Sequence, residues 1–129
     1  MYIEPTERMK IIHIWIGETS LKEDDLDEYF LSDESEENLS FLKGVDELDP
    51  DFVGILKFEH NLKVSDVLKN DVPLNAGDDL KNAIAKCGSL GIEVVNTVFY
   101  LTDSAIEIND DPDTPIGLIY IGKYKSSFQ

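Results

Sequence analysis

Glu93-Val94-Val95-Asn96-Thr97-Val98-Phe99-Tyr100-Leu101 and Ile116-Gly117-Leu118-Ile119-Tyr120-Ile121-Gly122-Lys123-Tyr124 are two apolar runs on either side of an acidic loop. Both are rich in β-branched and aromatic residues, which suit a pleated, packed surface. They read as the central antiparallel strands of a sheet that carries the rest of the chain. Upstream, Ile11-Ile12-His13-Ile14-Trp15-Ile16 reads as another strand. Alternation places Ile12, Ile14 and Ile16 on one face and Ile11, His13 and Trp15 on the other. Bulk on both faces marks an interior strand with a helix over one side.

Between these strands the period changes to helical. Ser20-Leu21-Lys22-Glu23 has the form of a capping box, Ser at the N-cap and Glu three residues on. The helix runs from there to about Leu31. Leu26, Tyr29 and Phe30 form its buried stripe, and Asp24, Asp25, Asp27 and Glu28 its polar face. Leu39 and Leu42 suggest helical turns within Asn38–Lys43, stopped by Gly44. Phe52–Phe58 reads as a strand, with His60 in a turn after it. Val64–Asn70 reads as a short helix for which Ser65 is a possible cap. A further helix runs from Gly77 or Asp78 to Cys87, with Leu80, Ala83, Ile84 and Cys87 on one stripe and Gly88 closing it. Residues 1–8 read as an irregular lead-in. The expected fold is α+β in one domain over residues 1–129: a mostly antiparallel central sheet of about four strands with helices packed on it.

Charge is the unusual feature of the composition: 27 acidic residues against 11 basic give a net of −16 in 129 residues. From Glu18 to Asp51 there are 14 acids and two lysines, a net of −12, and Asp103 to Asp113 adds five acids and no base. Outside those two segments the chain is close to neutral. Such a surface repels nucleic acid and anionic membranes and attracts basic partners. A nucleic-acid binder should show a basic patch, and none is present. The single cysteine, Cys87, permits no intramolecular disulfide, which fits a reducing compartment. No apolar run reaches the ~18–20 residues of a membrane span, and the N-terminal residues lack the order of a secretory signal. These features lead to an expected cytoplasmic protein.

The motifs of chemistry are weak. Asn109, Asp111 and Asp113 have the alternate spacing of a calcium loop, but Thr114 stands where Gly is needed and Tyr120 where the bidentate Glu belongs. His13 and His60 lack a second ligand at useful spacing. Cys87 lies on the apolar stripe of its helix and reads as a small buried hydrophobe. Gly88-Ser89-Leu90-Gly91 lacks the lysine of a phosphate loop. No carboxylate is marked as buried in an apolar pocket, as acid–base catalysis requires. The expectation is a non-enzyme with no metal and no cofactor.

His13-Ile14-Trp15-Ile16-Gly17, the acidic helix Asp24-Asp25-Leu26-Asp27-Glu28-Tyr29-Phe30, Asp49-Pro50-Asp51-Phe52 and Asn96-Thr97-Val98-Phe99-Tyr100-Leu101 occur in an order that resembles the immunity protein 22 family of bacterial polymorphic toxin and contact-dependent inhibition systems. The resemblance implies a small cytoplasmic protein that binds and neutralises a cognate toxin domain. Many such toxins are nucleases with basic surfaces for phosphates, which an acidic inhibitor can occupy. The expected partner-binding residues are Asp24, Asp25, Asp27 and Glu28 on the helix, Glu34, Glu36 and Glu37 after it, and Asp110, Asp111 and Asp113 in the later loop. Tyr29 is a candidate anchor, with core packing its competing role. The free protein is expected to be a monomer or weak dimer. The competing reading is a regulatory or adaptor module for another basic protein.

Overall fold

The computed structural model describes residues 4–32, 36–45, 48–110, 112–114 and 116–128, the side chains of Pro5, Glu36 and Glu37 apart. In chain order the elements are α1 (Pro5–Arg8), β1 (Ile11–Gly17), α2 (Glu23–Leu31), 3-10 turns at Glu36–Leu39 and Pro50–Phe52, β2 (Val53–Lys63), α3 (Val64–Asn70), α4 (Asp78–Ser89), β3 (Val94–Leu101) and β4 (Leu118–Lys125). The strands form one sheet in the order β2-β3-β1-β4, with every neighbouring pair antiparallel. The α+β architecture expected from the sequence is therefore present.

The alternation in β1 divides the core in two. Ile12, Ile14 and Ile16 are buried on one face with Val67 and Leu68 of α3 and Ala83 and Cys87 of α4. On the other face Trp15 joins Leu26 and Phe30 of α2, Phe41, Phe99 and Leu118. The second core is built around four buried aromatic rings, Trp15, Phe30, Phe41 and Phe99. Phe30 stacks on Phe99 with centroids 3.9 Å apart and planes within 4°. Trp15 meets Phe41 edge-on at 5.1 Å. The Trp15 indole N–H is not left buried without a partner: it donates to the Pro112 carbonyl at 2.7 Å.

The structure corrects the pairing expected for the two C-terminal runs. β3 and β4 are not neighbours; β1 lies between them and is antiparallel to both, so they run in the same direction. β1 is apolar on both faces and takes an interior place, whereas β4, with exposed Lys123 and Lys125, takes an edge.

Local expectations change as well. Residues 5–8 of the supposed lead-in form α1. Ser20 does not cap α2; the N-cap is Lys22, whose N–H donates to Asp25 Oδ2 at 3.2 Å. The cause is upstream. The Asn96 side-chain amide clasps the Thr19 peptide, accepting its N–H at 3.0 Å and donating to its carbonyl at 3.1 Å. The Thr19 hydroxyl in turn accepts the Leu21 N–H at 3.3 Å, so the helix starts later. The turns expected over Asn38–Lys43 reduce to the 3-10 turn Glu36–Leu39, because Leu42 instead bridges to Ile108. β2 runs to Lys63, beyond the Phe58 limit expected. Residues 58–61 bulge opposite Asn96, and pairing resumes at Leu62 with Val95, so His60 lies within the strand. Lys63, not Ser65, occupies the N-cap of α3. α4 continues through Gly88 to Ser89, and the stop is Gly91, with φ +73°. The Ile92 N–H reaches the Cys87 carbonyl at 2.9 Å and the Gly91 N–H the Gly88 carbonyl at 3.1 Å, the pattern of a Schellman ending.

Candidate partner-binding face

The acidic helix is positioned by its apolar stripe. Leu26 and Phe30 are completely buried, while Asp24, Asp25, Asp27 and Glu28 are exposed. Glu23, Asp24 and Asp25 lie in the first turn, where the helix dipole favours them, and the last turn holds no base. Glu23–Asp27, Asp24–Asp27, Asp24–Glu28 and Asp25–Glu28 are like-charged pairs at helical neighbour spacing. At a few tenths of a kcal/mol each, they destabilise the isolated helix by about 1–2 kcal/mol. Among the described residues no carboxylate of α2 forms an ion pair; the pairs present are Arg8–Asp103 and Lys10–Glu7.

Tyr29 borders this face. Its ring packs edge-on against Phe30 at 4.9 Å, and its hydroxyl is sequestered from solvent with no hydrogen-bond partner among the described residues. Burial raises the pKa of that hydroxyl, which keeps it protonated. A shallow depression of about 300 Å³ is lined by Tyr29 with Leu21, Asp25, Glu28, Ser32 and Asn38. Asn38 Nδ2 donates to the Tyr29 carbonyl at 3.0 Å and ties the following 3-10 turn to the helix end. The depression combines an apolar wall with two carboxylates, a chemistry that suits the stem and head of a lysine or arginine side chain.

The second acidic segment is only partly available. Asp103 is buried and is held by Arg8, whose Nε and Nη2 donate to its two carboxylate oxygens at 3.0 and 2.5 Å. The count of five acids without a base therefore overstates the charge this loop presents. The partner comes from 95 positions away. Asp110 is exposed. Asp113 is exposed but accepts the Tyr120 N–H at 2.9 Å, so it also has a structural role. The stretch before Asp110 is laid against the segment after α2: the Lys43 N–H donates to the Glu107 carbonyl at 3.0 Å and the Asn109 N–H to the Phe41 carbonyl at 2.9 Å. Glu34 and Asp111 lie outside the described residues, and the Glu36 and Glu37 side chains are likewise not described.

The other candidates turn inward. His13 is buried, with Nδ1 and the Tyr120 hydroxyl hydrogen-bonded at 2.9 Å. Its pKa is lowered to about 4, chiefly by burial and further by Lys123, with Asp103 opposing. Cys87 is fully buried, and burial pushes its thiol up to about 11. Asn109 is engaged by backbone, donating to the Ser40 carbonyl and accepting the Asp110 N–H. No group of three or more metal-ligating side chains forms among the described residues. No helix among them is long and apolar enough to cross a membrane.

Comparison with protein-family models, with curated proteins and with solved structures returns no match.

Proposed function

We propose that this chain is an inhibitor that binds a basic toxin domain and holds it inactive, as the resemblance of its short motifs to the immunity protein 22 family suggests. The observation that carries the reading is the exposed face of α2, whose carboxylates Asp24, Asp25, Asp27 and Glu28 have no ion-pair partner among the described residues. An arrangement that repels itself by about 1–2 kcal/mol is relieved when a cationic surface covers it. Tyr29 and its neighbouring depression supply a place for one basic side chain at the centre of the contact. Asp110, with Glu34, Glu36, Glu37, Asp111 and Asp113, extends the acidic surface in this reading. Inhibition is by occupancy, without chemistry of the chain's own, and takes place in the cytoplasm.

The test is co-purification with the toxin domain encoded beside this gene, repeated across a salt series. Binding that weakens steeply with salt, and a triple variant Asp24→Lys, Asp25→Lys, Asp27→Lys that stays folded but binds at least about tenfold more weakly with a flatter salt slope, is the expected result. Binding unchanged in the triple variant removes α2 from the interface. Failure to bind that domain, with capture of a different basic protein, would favour an adaptor role instead.

A further inference from the structure

The two outer strands of the sheet are finished differently. Along β4 the outward backbone groups are occupied at both ends, at Leu118 and Lys125, and so is the Tyr120 N–H between them. Thr114 Oγ1 accepts the Leu118 N–H at 3.1 Å, and the Thr114 N–H donates to the Leu118 carbonyl at 3.0 Å. Asp113 takes the Tyr120 N–H at 2.9 Å. At the far end Asp79 Oδ1 accepts the Lys125 N–H at 3.1 Å, and the Asn75 N–H donates to the Lys125 carbonyl at 3.0 Å. Occupied groups of this kind stop an edge from recruiting another strand.

The outer edge of β2 lacks that covering. In an antiparallel ladder alternate residues turn both backbone groups toward the neighbour, and those between turn away. The Thr102 N–H donates to the Phe52 carbonyl at 2.9 Å, and Val53 is in register with Leu101. Gly54 and Leu56 therefore face β3, while Val53, Ile55 and Lys57 face outward. The Val53 N–H closes the preceding 3-10 turn on the Pro50 carbonyl. The Val53 carbonyl and both backbone groups of Ile55 and Lys57 have no hydrogen-bond partner among the described residues. The stretch carries core-type side chains, Val53, Ile55, Leu56 and Phe58, yet all of them are partly exposed, whereas Ile12 to Ile16 of β1 are buried. An apolar edge with free backbone groups is what strand addition by a partner requires.

Charge selects the occupant. Exposed Asp49 and Asp51 precede the strand, and exposed Glu59 lies in it beyond the open stretch. Glu23 of α2 and its N-cap Lys22 line a depression together with Lys57, Phe58 and Glu59, so the edge adjoins the start of the acidic helix. A second copy of this chain would bring another −16 to the same place and is disfavoured. We propose that an extended, lysine- or arginine-bearing segment of the partner adds a fifth strand to the sheet along Val53, Ile55 and Lys57. The proposal rests on the inhibitor reading above and specifies how the partner docks.

Amide hydrogen exchange of the full chain, alone and in complex with the toxin domain encoded beside the gene, tests it. Ile55 and Lys57 amides exchange rapidly in the free protein and slow by about a hundredfold or more in the complex. The variant Ile55→Pro removes an outward N–H without removing a bond to β3 and lowers affinity by about tenfold; its melting curve shows whether it is folded. A complex whose Ile55 and Lys57 amides still exchange rapidly overturns the docking mode and leaves the inhibitor reading in place. No complex at all overturns both. Protection in the free chain that grows with protein concentration assigns the edge to a second copy and overturns the proposal as well.

Discussion

Replacing His13 by glutamine should flatten the fall in stability between neutral and mildly acidic pH. His13 is 3% exposed in the interior strand β1, and its folded pKa is about 4 against an unfolded value near 6.5. The cause is first burial and then the Lys123 charge; Asp103 opposes weakly. Because the folded value is depressed, the unfolded chain takes up the proton first. The stabilisation is complete above about pH 6.5 and is lost as the pH falls toward 4. The gap corresponds to roughly 3 kcal/mol when fully developed, of which about 2 kcal/mol is lost between pH 7 and pH 5. Relief of repulsion among the surface carboxylates acts in the opposite direction, but equally in both proteins. The difference between wild type and His13→Gln therefore isolates the histidine, and glutamine retains a group able to hydrogen-bond the Tyr120 hydroxyl. Urea unfolding at a series of pH values gives both curves. Parallel curves, or a folded-state histidine resonance from His13 that titrates near pH 6.5, would refute the reasoning.

Three other consequences follow from single contacts. A Cβ on Gly17 would lie 2.4 Å from the Gly117 carbonyl oxygen, and backbone cannot swing aside, so Gly17→Ala should lower unfolding free energy by about 2–3 kcal/mol; a loss below about half a kcal/mol in denaturant titration contradicts the packing. Asn96→Asp keeps an acceptor for the Thr19 N–H but turns the donor facing the Thr19 carbonyl into a second acceptor. A destabilisation of about 1–3 kcal/mol is expected, and equal stability of the two proteins would mean the clasp is immaterial. Cys87, buried with its thiol raised to about 11, should react with a disulfide reagent about a thousandfold more slowly in buffer than in denaturant; labelling within the mixing time in buffer would show the site to be open.

The sequence was most informative where a local period had to match a buried surface. Ile12, Ile14 and Ile16 separated from His13 and Trp15 as alternation requires, because a one-residue error would have placed a whole face wrongly. The Leu26–Phe30 stripe was legible for the same reason, and with it the exposed acids of α2. Strand order was not legible. Two apolar runs joined by a loop look like neighbours, and only β1, from far upstream, fills the place between them. Long-range polar contacts were equally hidden. Arg8 belongs to a segment without periodicity, and nothing near it in the chain points to Asp103. The late start of α2 depends on Asn96, 77 positions away from Thr19. Of the two competing roles for Tyr29, the structure shows the packing one: its ring lies edge-on to Phe30 and its hydroxyl is sequestered from solvent, without a partner among the described residues.

The arrangement of α2 indicates why this fold can carry so much unpaired charge. Four like-charged neighbour pairs oppose the helix by about 1–2 kcal/mol, and a helix of nine residues is marginal by itself. Against that, full burial of Leu26 and Phe30 contributes about 3–6 kcal/mol. The stack of Phe30 on Phe99 then ties the helix to an interior strand. The packing term exceeds the repulsion, so the carboxylates are held in place before any partner arrives. In the proposed inhibitor reading, a face fixed in this way loses little backbone freedom on association, and the repulsion stored in it is released when a cationic surface covers it. On this account, weakening the anchor should reduce partner affinity even though no carboxylate is touched. Phe30→Leu keeps an apolar group but removes the stack, and should weaken partner binding by several-fold with α2 still helical. Affinity equal to wild type would show that the acids bind as a mobile cloud of charge and that their placement by the aromatic core is irrelevant.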